Sequence, residues 1–177
     1  MRVIGGKARS LPLKTPKGMN TRPTTDRIKE TLFNMLMPYL GGAVFIDCFS
    51  GSGAIGIEAL SRGASKAYFL DNNKDAIKCI KDNLTFTKLA DSAVVVSNDC
   101  FVTLRELNLK EADIIFMDPP YMMDKEEELL ELLRDRPYVT PNTLIVIEAL
   151  IDKDFSFVTR SGFQITKEKT YKTNKHI

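Results

Sequence analysis

Short apolar runs rich in β-branched residues alternate with amphipathic stretches through the middle of this sequence. The strand-like runs cover residues 44–47, 67–71, 93–96, 114–117 and 143–147. The helical stretches lie near residues 53–62, 73–86, 99–107 and 125–136. Such alternation predicts βαβ units, and therefore one α/β domain with a mainly parallel sheet and helices on both faces.

The two ends of the sequence depart from this alternation. A helix is expected from Thr24 and Thr25 up to Pro38, where proline and the following glycines stop the helical spacing. Near the other end, the runs 155–158 and 163–166 are strand-like and have no helix between them. They predict an antiparallel hairpin at one edge of the sheet.

Composition narrows the class of protein. The 177 residues are 44% hydrophobic and 27% charged, which suits one globular domain, and no apolar run approaches the roughly 18 residues that span a membrane. The N-terminus does not resemble a secretory signal. Cys48, Cys79 and Cys100 lack metal-like spacing, and the single histidine, His176, is not expected to serve in a catalytic triad. We expect a cytoplasmic protein without a metal site that acts as a monomer.

Charge is distributed unevenly along the chain. Residues 1–29 carry eight lysines and arginines against Asp26 alone, a net charge of +7, whereas the remainder carries −5. A basic arm on a mildly acidic body suits a polyanionic partner, although a solvated basic leader explains the charge equally well. Interleaved glycine and proline predict loops and a short hairpin. We therefore divide the chain into a basic extension, 1–23, and a main domain, 24–177.

A glycine-rich loop, Gly51-Ser52-Gly53-Ala54-Ile55-Gly56, follows the first predicted strand and opens a helix. Asp71 lies 20 residues after Gly51, at the end of the second strand. In this context the glycines admit a ligand to the backbone and the carboxylate can bind two ribose hydroxyls. Asp47, just before the loop, would repel a pyrophosphate but suits a ligand with an ammonium and a sulfonium. These features favour S-adenosylmethionine (SAM) over NAD.

Capping remains the alternative role for several of these polar residues. Asp47 can cap a turn, and in Asp71-Asn72-Asn73 the first residue can hold the ribose while Asn73 caps the next helix. Asp99, after the third strand, can accept a hydrogen bond from the adenine amino group of SAM or cap a helix. Cys48 suits packing, and we take Glu58 and Glu148 as structural. The residues predicted to line the cofactor site are Asp47, Cys48, Gly51, Ser52, Gly53, Asp71, Asn72, Asp99 and Cys100.

The fourth predicted strand runs directly into Asp118-Pro119-Pro120-Tyr121. Two prolines remove two backbone donors, so the corner offers mainly acceptors, the carboxylate and the carbonyls, to an exocyclic –NH2 group. Tyr121 offers a flat face on which a base can stack, worth about 1–3 kcal/mol. Acceptors aimed at the amino hydrogens would make this weak nucleophile attack a methyl donor more readily. A Pro-Pro turn with a surface tyrosine is the alternative interpretation.

Taken together, five segments of the sequence resemble the RsmD family of 16S ribosomal RNA guanine-N2 methyltransferases. They are Met1 to Gly6, Arg22 to Arg27, Thr31 to Asn34, Asp47 to Gly53, and Asp118 to Tyr121. The resemblance implies a class I SAM-dependent, Rossmann-like fold with SAM as the cofactor and 16S rRNA, in the small subunit or an assembly intermediate, as the partner. It also implies that the arm faces RNA through Arg2, Lys7, Arg9, Lys14, Lys17 and Arg22.

Three other functions share parts of this pattern. A DNA adenine-N6 methyltransferase would use the same Asp118 chemistry, but we find no segment long enough for a target-recognition domain. A protein glutamine methyltransferase more often carries asparagine at this position and gives no reason for a basic arm. A non-catalytic RNA-binding factor would not need Asp47 and Asp118. The resemblance departs at Lys172, where glycine is common, so the last hairpin is expected to differ.

Overall fold

A computed structural model describes residues 1–16, 25–120 and 122–177. The helices are α1 (Asp26–Leu40), α2 (Ala54–Ser61), α3 (Lys74–Thr87), α4 (Cys100–Glu106) and α5 (Glu126–Arg134). The strands are β1 (Val44–Cys48), β2 (Lys66–Asp71), β3 (Ala93–Ser97), β4 (Ile114–Met117), β5 (Leu144–Leu150), β6 (Lys169–Thr170) and β7 (Asn174–His176).

The strands form one sheet in the order β3-β2-β1-β4-β5-β7-β6. The five strands from β3 to β5 are parallel, whereas β7 runs antiparallel to β5 and β6 runs antiparallel to β7. Strand order reverses between β1 and β4, and open α/β sheets bind ligands at the carboxyl ends of strands beside such a reversal. The predicted α/β class, with a mostly parallel sheet and an antiparallel edge, is confirmed.

Alternate residues of each strand belong to different hydrophobic clusters. Phe45 and Phe116 join the cluster with α1, α2 and α3, whereas Ile46 and Ile115 join the cluster with α4 and α5. Side chains of a strand alternate between faces, so a strand covered by helices on both sides is apolar throughout. This explains why β4 consists of four buried apolar residues.

Helix α1 is capped by Thr25, whose side chain accepts a hydrogen bond from the Ile28 N–H. The predicted start at Thr24 lies outside the described residues. Of the residues predicted to stop the helix, Pro38 lies inside it, whereas Gly41-Gly42 directly follow its last residue, Leu40. The apolar positions of α1 recur to the end, with Leu36 and Leu40 buried, so tertiary packing carries the last turn past the proline.

The N-terminal segment forms the predicted hairpin. The Val3 N–H donates to the Leu11 carbonyl at 2.9 Å, and the Leu13 N–H donates to the Met1 carbonyl at 3.0 Å. Val3, Ala8 and Leu13 are buried in the same hydrophobic cluster as α1 and α2. The hairpin is therefore packed onto the main domain. Its proposed end at residue 23 lies outside the described residues, so the boundary stays a prediction.

The C-terminal strand prediction is wrong in its position. Residues 155–158 and 163–166 form no strand; Phe155, Phe157 and Val158 are buried in a turn-rich segment that packs on the cluster of α4 and α5. Adjacent buried residues such as Phe157 and Val158 cannot share one face of a strand. The antiparallel edge is formed instead by β6 and β7. Pairing with β7 also extends β5 to Leu150, so Glu148 lies within β5 and not at its end.

Candidate active site

Carboxylates gather at the carboxyl edge of the parallel strands. Asp47 is the next-to-last residue of β1 and Asp71 ends β2. Asp99 and Asp118 follow β3 and β4. The glycine loop after β1 and Asp118 after β4 flank the position where strand order reverses. The sheet thus brings together the predicted cofactor residues and the predicted acceptor of the reacting amino group.

Asp47 is almost completely buried, with 2% of its surface exposed. Its carboxylate accepts a hydrogen bond from the Gly56 N–H at 2.9 Å. Burial raises the pKa of Asp47 well above its ordinary value, the Gly56 bond lowers it, and the charges of Asp118 and Asp71 raise it further. A buried acid with acidic neighbours favours a cationic ligand in the crevice.

Glycine is required at position 56 by packing. A Cβ there would lie 2.4 Å from the Phe69 ring and 3.1 Å from the Asp47 carboxylate. The third glycine of the loop therefore lets α2 approach β2 closely, as in other glycine-rich strand–helix turns. The same close approach brings the Gly56 N–H to Asp47.

Asp71 holds the glycine loop and the start of α3. Its carboxylate accepts from the Gly51 N–H at 2.9 Å and from the Asn73 N–H at 2.8 Å. The Asn73 side chain caps α3, as predicted. Asn72 is exposed beside Asp71, and Ser52 is buried in the loop. Each Asp71 oxygen retains acceptor capacity for a ligand hydroxyl.

Asp99 caps α4 by accepting from the Val102 N–H at 3.1 Å, so its capping role is confirmed. Cys48 and Cys100 are buried, and their thiols interact with each other. That interaction is the largest cause of the raised pKa of Cys48, followed by burial. The side chains of both cysteines therefore serve packing, and contact of the two residues with a cofactor stays a prediction.

Asp118 is half-buried and accepts no hydrogen bond and forms no ion pair within the described part of the chain. Burial, and after it the charge of Glu148, raises the pKa of Asp118 to about 8. The Pro120 carbonyl accepts from the Met123 N–H at 2.7 Å. Among described residues the Pro119 carbonyl has no such donor, which makes it the freer acceptor. Tyr121 lies outside the described residues.

Sequence reasoning missed a polar network beside Asp118. Glu148, within β5, accepts from the Asn174 side-chain amide at 2.6 Å and contacts His176 Nε2 at 3.1 Å. His176 Nδ1 lies 3.1 Å from the Tyr171 hydroxyl. A sequence signal did exist, because Asp118 and Glu148 each directly follow an apolar strand run. The antiparallel pairing that brings His176 to Glu148 had no such signal.

Known proteins resemble the chain over nearly its whole length. Residues 1–177 match the family described as Conserved hypothetical protein 95. Ribosomal RNA small subunit methyltransferase D of Haemophilus influenzae is 38% identical over 174 residues, covering 96% of this chain and 88% of its own, and its Escherichia coli namesake is 36% identical over 169 residues, covering 96% and 84%. The chain belongs to the RsmD family.

A solved structure supports the same assignment. The protein described as "Putative methyltransferase yhhF from Escherichia coli" superposes with a TM-score of 0.84 at 34% identity. The superposition covers 99% of this chain and 94% of the other. The resemblance to RsmD noted from five short segments therefore extends to the whole sequence and to the fold.

The glycine pair of the RsmD-like N-terminus packs against α2. Gly6 has φ +76°, and a Cβ there would lie 1.8 Å from the Ser61 carbonyl oxygen, so only glycine fits. The Lys7 N–H donates to that carbonyl at 2.9 Å. The Ala8 N–H donates to the Ser61 hydroxyl at 2.9 Å. These contacts hold the basic hairpin against the domain.

Glu58 on α2 is the centre of the hairpin contact. It is fully buried and accepts from the N–H groups of Ile4 and Gly5, each at 2.8 Å. It also pairs with Arg62 at 2.8 Å and with buried Lys29 at 3.3 Å. We call Glu58, Lys29 and Arg62, with these two N–H groups, the Glu58 cluster. Glu58 is structural, as the sequence suggested.

The basic side chains of the arm differ in their partners. Arg2 pairs with Asp26 at 3.0 Å, and Lys14 pairs with Asp82 at 3.3 Å, all four being exposed or nearly so. Lys7 and Arg9 are exposed and form no ion pair with the rest of the described chain. Lys17 and Arg22 lie outside the described residues.

A cavity of about 610 Å³ lies elsewhere, between α1, β5 and residues 162–167. Its lining contains none of the predicted site residues, so we do not assign the reaction to it. Within residues 1–16, 25–120 and 122–177, no cluster of three or more acidic, histidine or cysteine side chains could hold a metal ion. In the same ranges, no helix is long and apolar enough to cross a membrane.

Proposed function

We propose that this protein transfers a methyl group from SAM to the exocyclic N2 of a guanine in 16S ribosomal RNA. The observation that carries the proposal is the position of Asp118 and Pro119, across the β1–β4 crevice from the glycine loop. Membership of the RsmD family, whose named relatives are small-subunit rRNA methyltransferases, supports the same target.

The acidic edge of the sheet fits SAM. Asp47 is buried beside acidic neighbours and pairs with no cation among the described residues. SAM carries two positive groups, which such a carboxylate would attract. Asp47 would face its ammonium, Asp71 its ribose hydroxyls and Asp99 its adenine amino group. Bound SAM supplies an electrophilic methyl group on sulfonium sulfur. The predicted contacts of Cys48, Gly51, Ser52, Gly53, Asn72 and Cys100 belong to the same proposal.

Asp118 and Pro119 would orient the reacting amino group. The lone pair of an exocyclic nitrogen is delocalised into the base, which makes the nitrogen a poor nucleophile. Acceptors aimed at its two hydrogens stabilise positive charge as the nitrogen attacks. The Pro119 carbonyl suits this role better than the Pro120 carbonyl, which already accepts from Met123. Tyr121 would stack on the base after it leaves its helix.

The hairpin would bind the RNA backbone. Lys7 and Arg9 are its exposed cations without an ion pair in the described chain, and Arg2 and Lys14 add charge from partly neutralised positions. Phosphate contacts of this kind position an RNA without reading its sequence. We also propose that Lys17 and Arg22 extend this surface, that residues 1–23 serve as the RNA-binding extension of domain 24–177, and that the protein acts as a cytoplasmic monomer.

The test is methyl transfer from labelled SAM to small ribosomal subunits from cells that lack the enzyme, followed by nucleoside analysis. We expect N2-methylguanosine at a single position. Asp118→Asn should abolish the label, whereas Asp113→Asn should keep it. Asp113 is the matched control because it lies at the opposite end of β4, where it accepts from the Val44 N–H.

Other outcomes would reassign the substrate. Label in DNA but not in ribosomal RNA would point to the adenine-N6 reaction, and label in protein to the glutamine reaction. An absence of SAM binding by calorimetry would contradict every methyltransferase assignment. In that case the fold would serve a binding role.

A further inference from the structure

The network around Glu148 is a cluster of titratable side chains for which the reaction described above has no use. Glu148 and His176 are 4% and 3% exposed, and β5 and β7 place them opposite each other in the antiparallel ladder. Asn174, also buried, donates to the other Glu148 oxygen. A carboxylate removed from water and given two partners is fixed in position.

The sheet places Glu148 directly beside Asp118. Met117 and Ile147 are register partners in the parallel pair of β4 and β5, so the next residues along both strands, Asp118 and Glu148, are neighbours. Residues opposite each other on neighbouring strands project to the same face of a sheet, so both side chains lie on one face. The two side chains therefore lie side by side at the carboxyl edge of the sheet, close enough for the Glu148 charge to act on Asp118.

Hydrogen bonding indicates how Glu148 is held. The Tyr171 hydroxyl keeps its proton, because burial, and then the Glu148 charge, raises the pKa of Tyr171. It can therefore donate to His176 Nδ1. The ring then carries its own N–H on Nε2 and donates it to Glu148. With Asn174 as second donor, both Glu148 oxygens have a hydrogen-bond partner, which fixes the side chain in position.

The titratable groups around Asp118 come from three strands. Asp47 on β1 and Glu148 on β5 are acidic, and His176 on β7 lies behind Glu148. No described lysine or arginine pairs with any of the three acids. Acidic neighbours increase the proton affinity of a half-buried carboxyl group.

We propose that Glu148, held by Asn174 and His176, is a positioning residue that makes Asp118 basic enough to receive the proton released by the methylated amino group. This inference rests on the methyltransfer proposed above. In that step, the nitrogen lone pair forms the new N–C bond, and the electrons of the broken C–S bond remain on sulfur. One N–H bond of the now cationic nitrogen breaks, its proton passes to an Asp118 oxygen, and its electron pair restores the neutral amine.

A carboxylate with ordinary proton affinity would accept this proton poorly. The effectiveness of a general base increases with its pKa as long as it remains deprotonated at the working pH. The pKa of Asp118, about 8, is suited to this role. The Glu148 charge would thus act through Asp118 and needs no contact with the RNA or the cofactor.

The first experiment measures single-turnover methyl transfer as a function of pH in the wild type and in Glu148→Gln. We expect the wild-type rate to rise with a midpoint near 8. In Glu148→Gln the midpoint should fall by about one pH unit or more, and the high-pH plateau should drop by about tenfold. Glu126→Gln is the matched control, since Glu126 is a buried glutamate on α5 paired with Lys153. It should keep the wild-type midpoint.

The second experiment does not depend on activity. Infrared difference spectra between low and high pH should contain a carboxyl band that is absent from Asp118→Asn, and its titration should shift down in Glu148→Gln. His176 is the only histidine, so the imidazole signals in nitrogen NMR report the hydrogen bonds of its ring. We expect both ring nitrogens to be hydrogen-bonded in the wild type, to Tyr171 and to Glu148.

The outcomes separate the two proposals. A wild type that transfers no methyl group to RNA would overturn the proposed function, while the infrared titration would still test the charge coupling. A uniform loss of rate in Glu148→Gln with an unchanged midpoint would overturn the inference and leave Glu148 a structural residue. If that variant does not fold, an ordinary carboxyl pKa for Asp118 in the wild-type infrared titration would overturn it equally.

Discussion

Glu58 and Asp118 are acids of two regions that treat negative charge in opposite ways. In the Glu58 cluster, two cations and two N–H groups surround one fully buried carboxylate. At the carboxyl edge of the sheet, Asp118 has another acid, Glu148, as its main charged neighbour. The first arrangement satisfies the charge, whereas the second leaves it without compensation.

The difference separates a structural from a functional use of the same chemical group. The Glu58 cluster joins the N-terminal hairpin to α1 and α2. Its carboxylate is neutralised by groups of the protein itself, so its stability does not depend on a ligand. The carboxyl edge is unfavourable in the free protein, because burial and acidic neighbours raise the pKa of Asp47 and Asp118. A cationic ligand would relieve that penalty, as expected if the protein gives up stability at its proposed site.

Removing the Asp118 charge should have the largest effect. Asp118→Asn should lower the methyl-transfer rate at least about 10²–10³-fold, because one acceptor of developing charge is lost. SAM affinity should fall by less than about tenfold, since Asp47 and Asp71 remain. Single-turnover kinetics and calorimetry measure the two quantities separately. Wild-type activity in this variant would refute the acceptor role of Asp118.

Removing the Glu58 charge should act on stability. Glu58→Gln leaves Lys29 and Arg62 buried without their counter-charge, and breaking a buried pair in this way costs about 3–5 kcal/mol. Chemical denaturation measures the loss. Glu128→Gln, which breaks the exposed pair of α5 with Lys125, should change stability by less than about 1 kcal/mol. Equal losses in the two variants would show that burial of the Glu58 cluster contributes nothing.

Asp118 should make the stability of the protein depend on pH. The folded protein keeps a proton on Asp118 up to about pH 8, whereas the unfolded chain releases it near the ordinary value of 3.8. Between these values the unfolded state binds fewer protons, so the Asp118 contribution to the free energy of unfolding falls as pH rises, by up to about 1.4 kcal/mol per pH unit. Above pH 8 the fall should stop.

Thermal unfolding of the ligand-free protein tests this slope. Asp118→Asn carries no titrating group at this position, so the stability difference between variant and wild type should grow from acid pH toward about pH 8. Asp113→Asn is the control, because it removes a carboxyl group from the opposite end of the same strand, β4. A stability difference that does not change with pH would mean that Asp118 titrates normally in the folded protein.

The alternation of strand-like and helical stretches predicted the five parallel strands, β1 to β5, well. Local spacing also predicted Asp47, Asp71 and Asp118 at one edge, because parallel strands bring their carboxyl ends together. It failed at residues 155–166, where buried aromatic residues imitate a strand. The His176–Glu148 contact depends on antiparallel pairing between residues 28 positions apart, which no local pattern specifies.

The smallest expected effect concerns the arm that the Glu58 cluster holds in place. Lys7→Ala with Arg9→Ala removes two cations without an ion pair in the described chain, so the magnitude of the slope of log affinity for RNA against log salt should fall by about 1.4–1.8. Arg2→Ala with Lys14→Ala removes the same charge, but Asp26 and Asp82 already neutralise part of it, and the slope should fall less. Filter binding over a series of salt concentrations measures both. Equal slopes for the two double variants would mean that the exposed pairs open on binding, and an unchanged slope in both would assign the arm to packing alone.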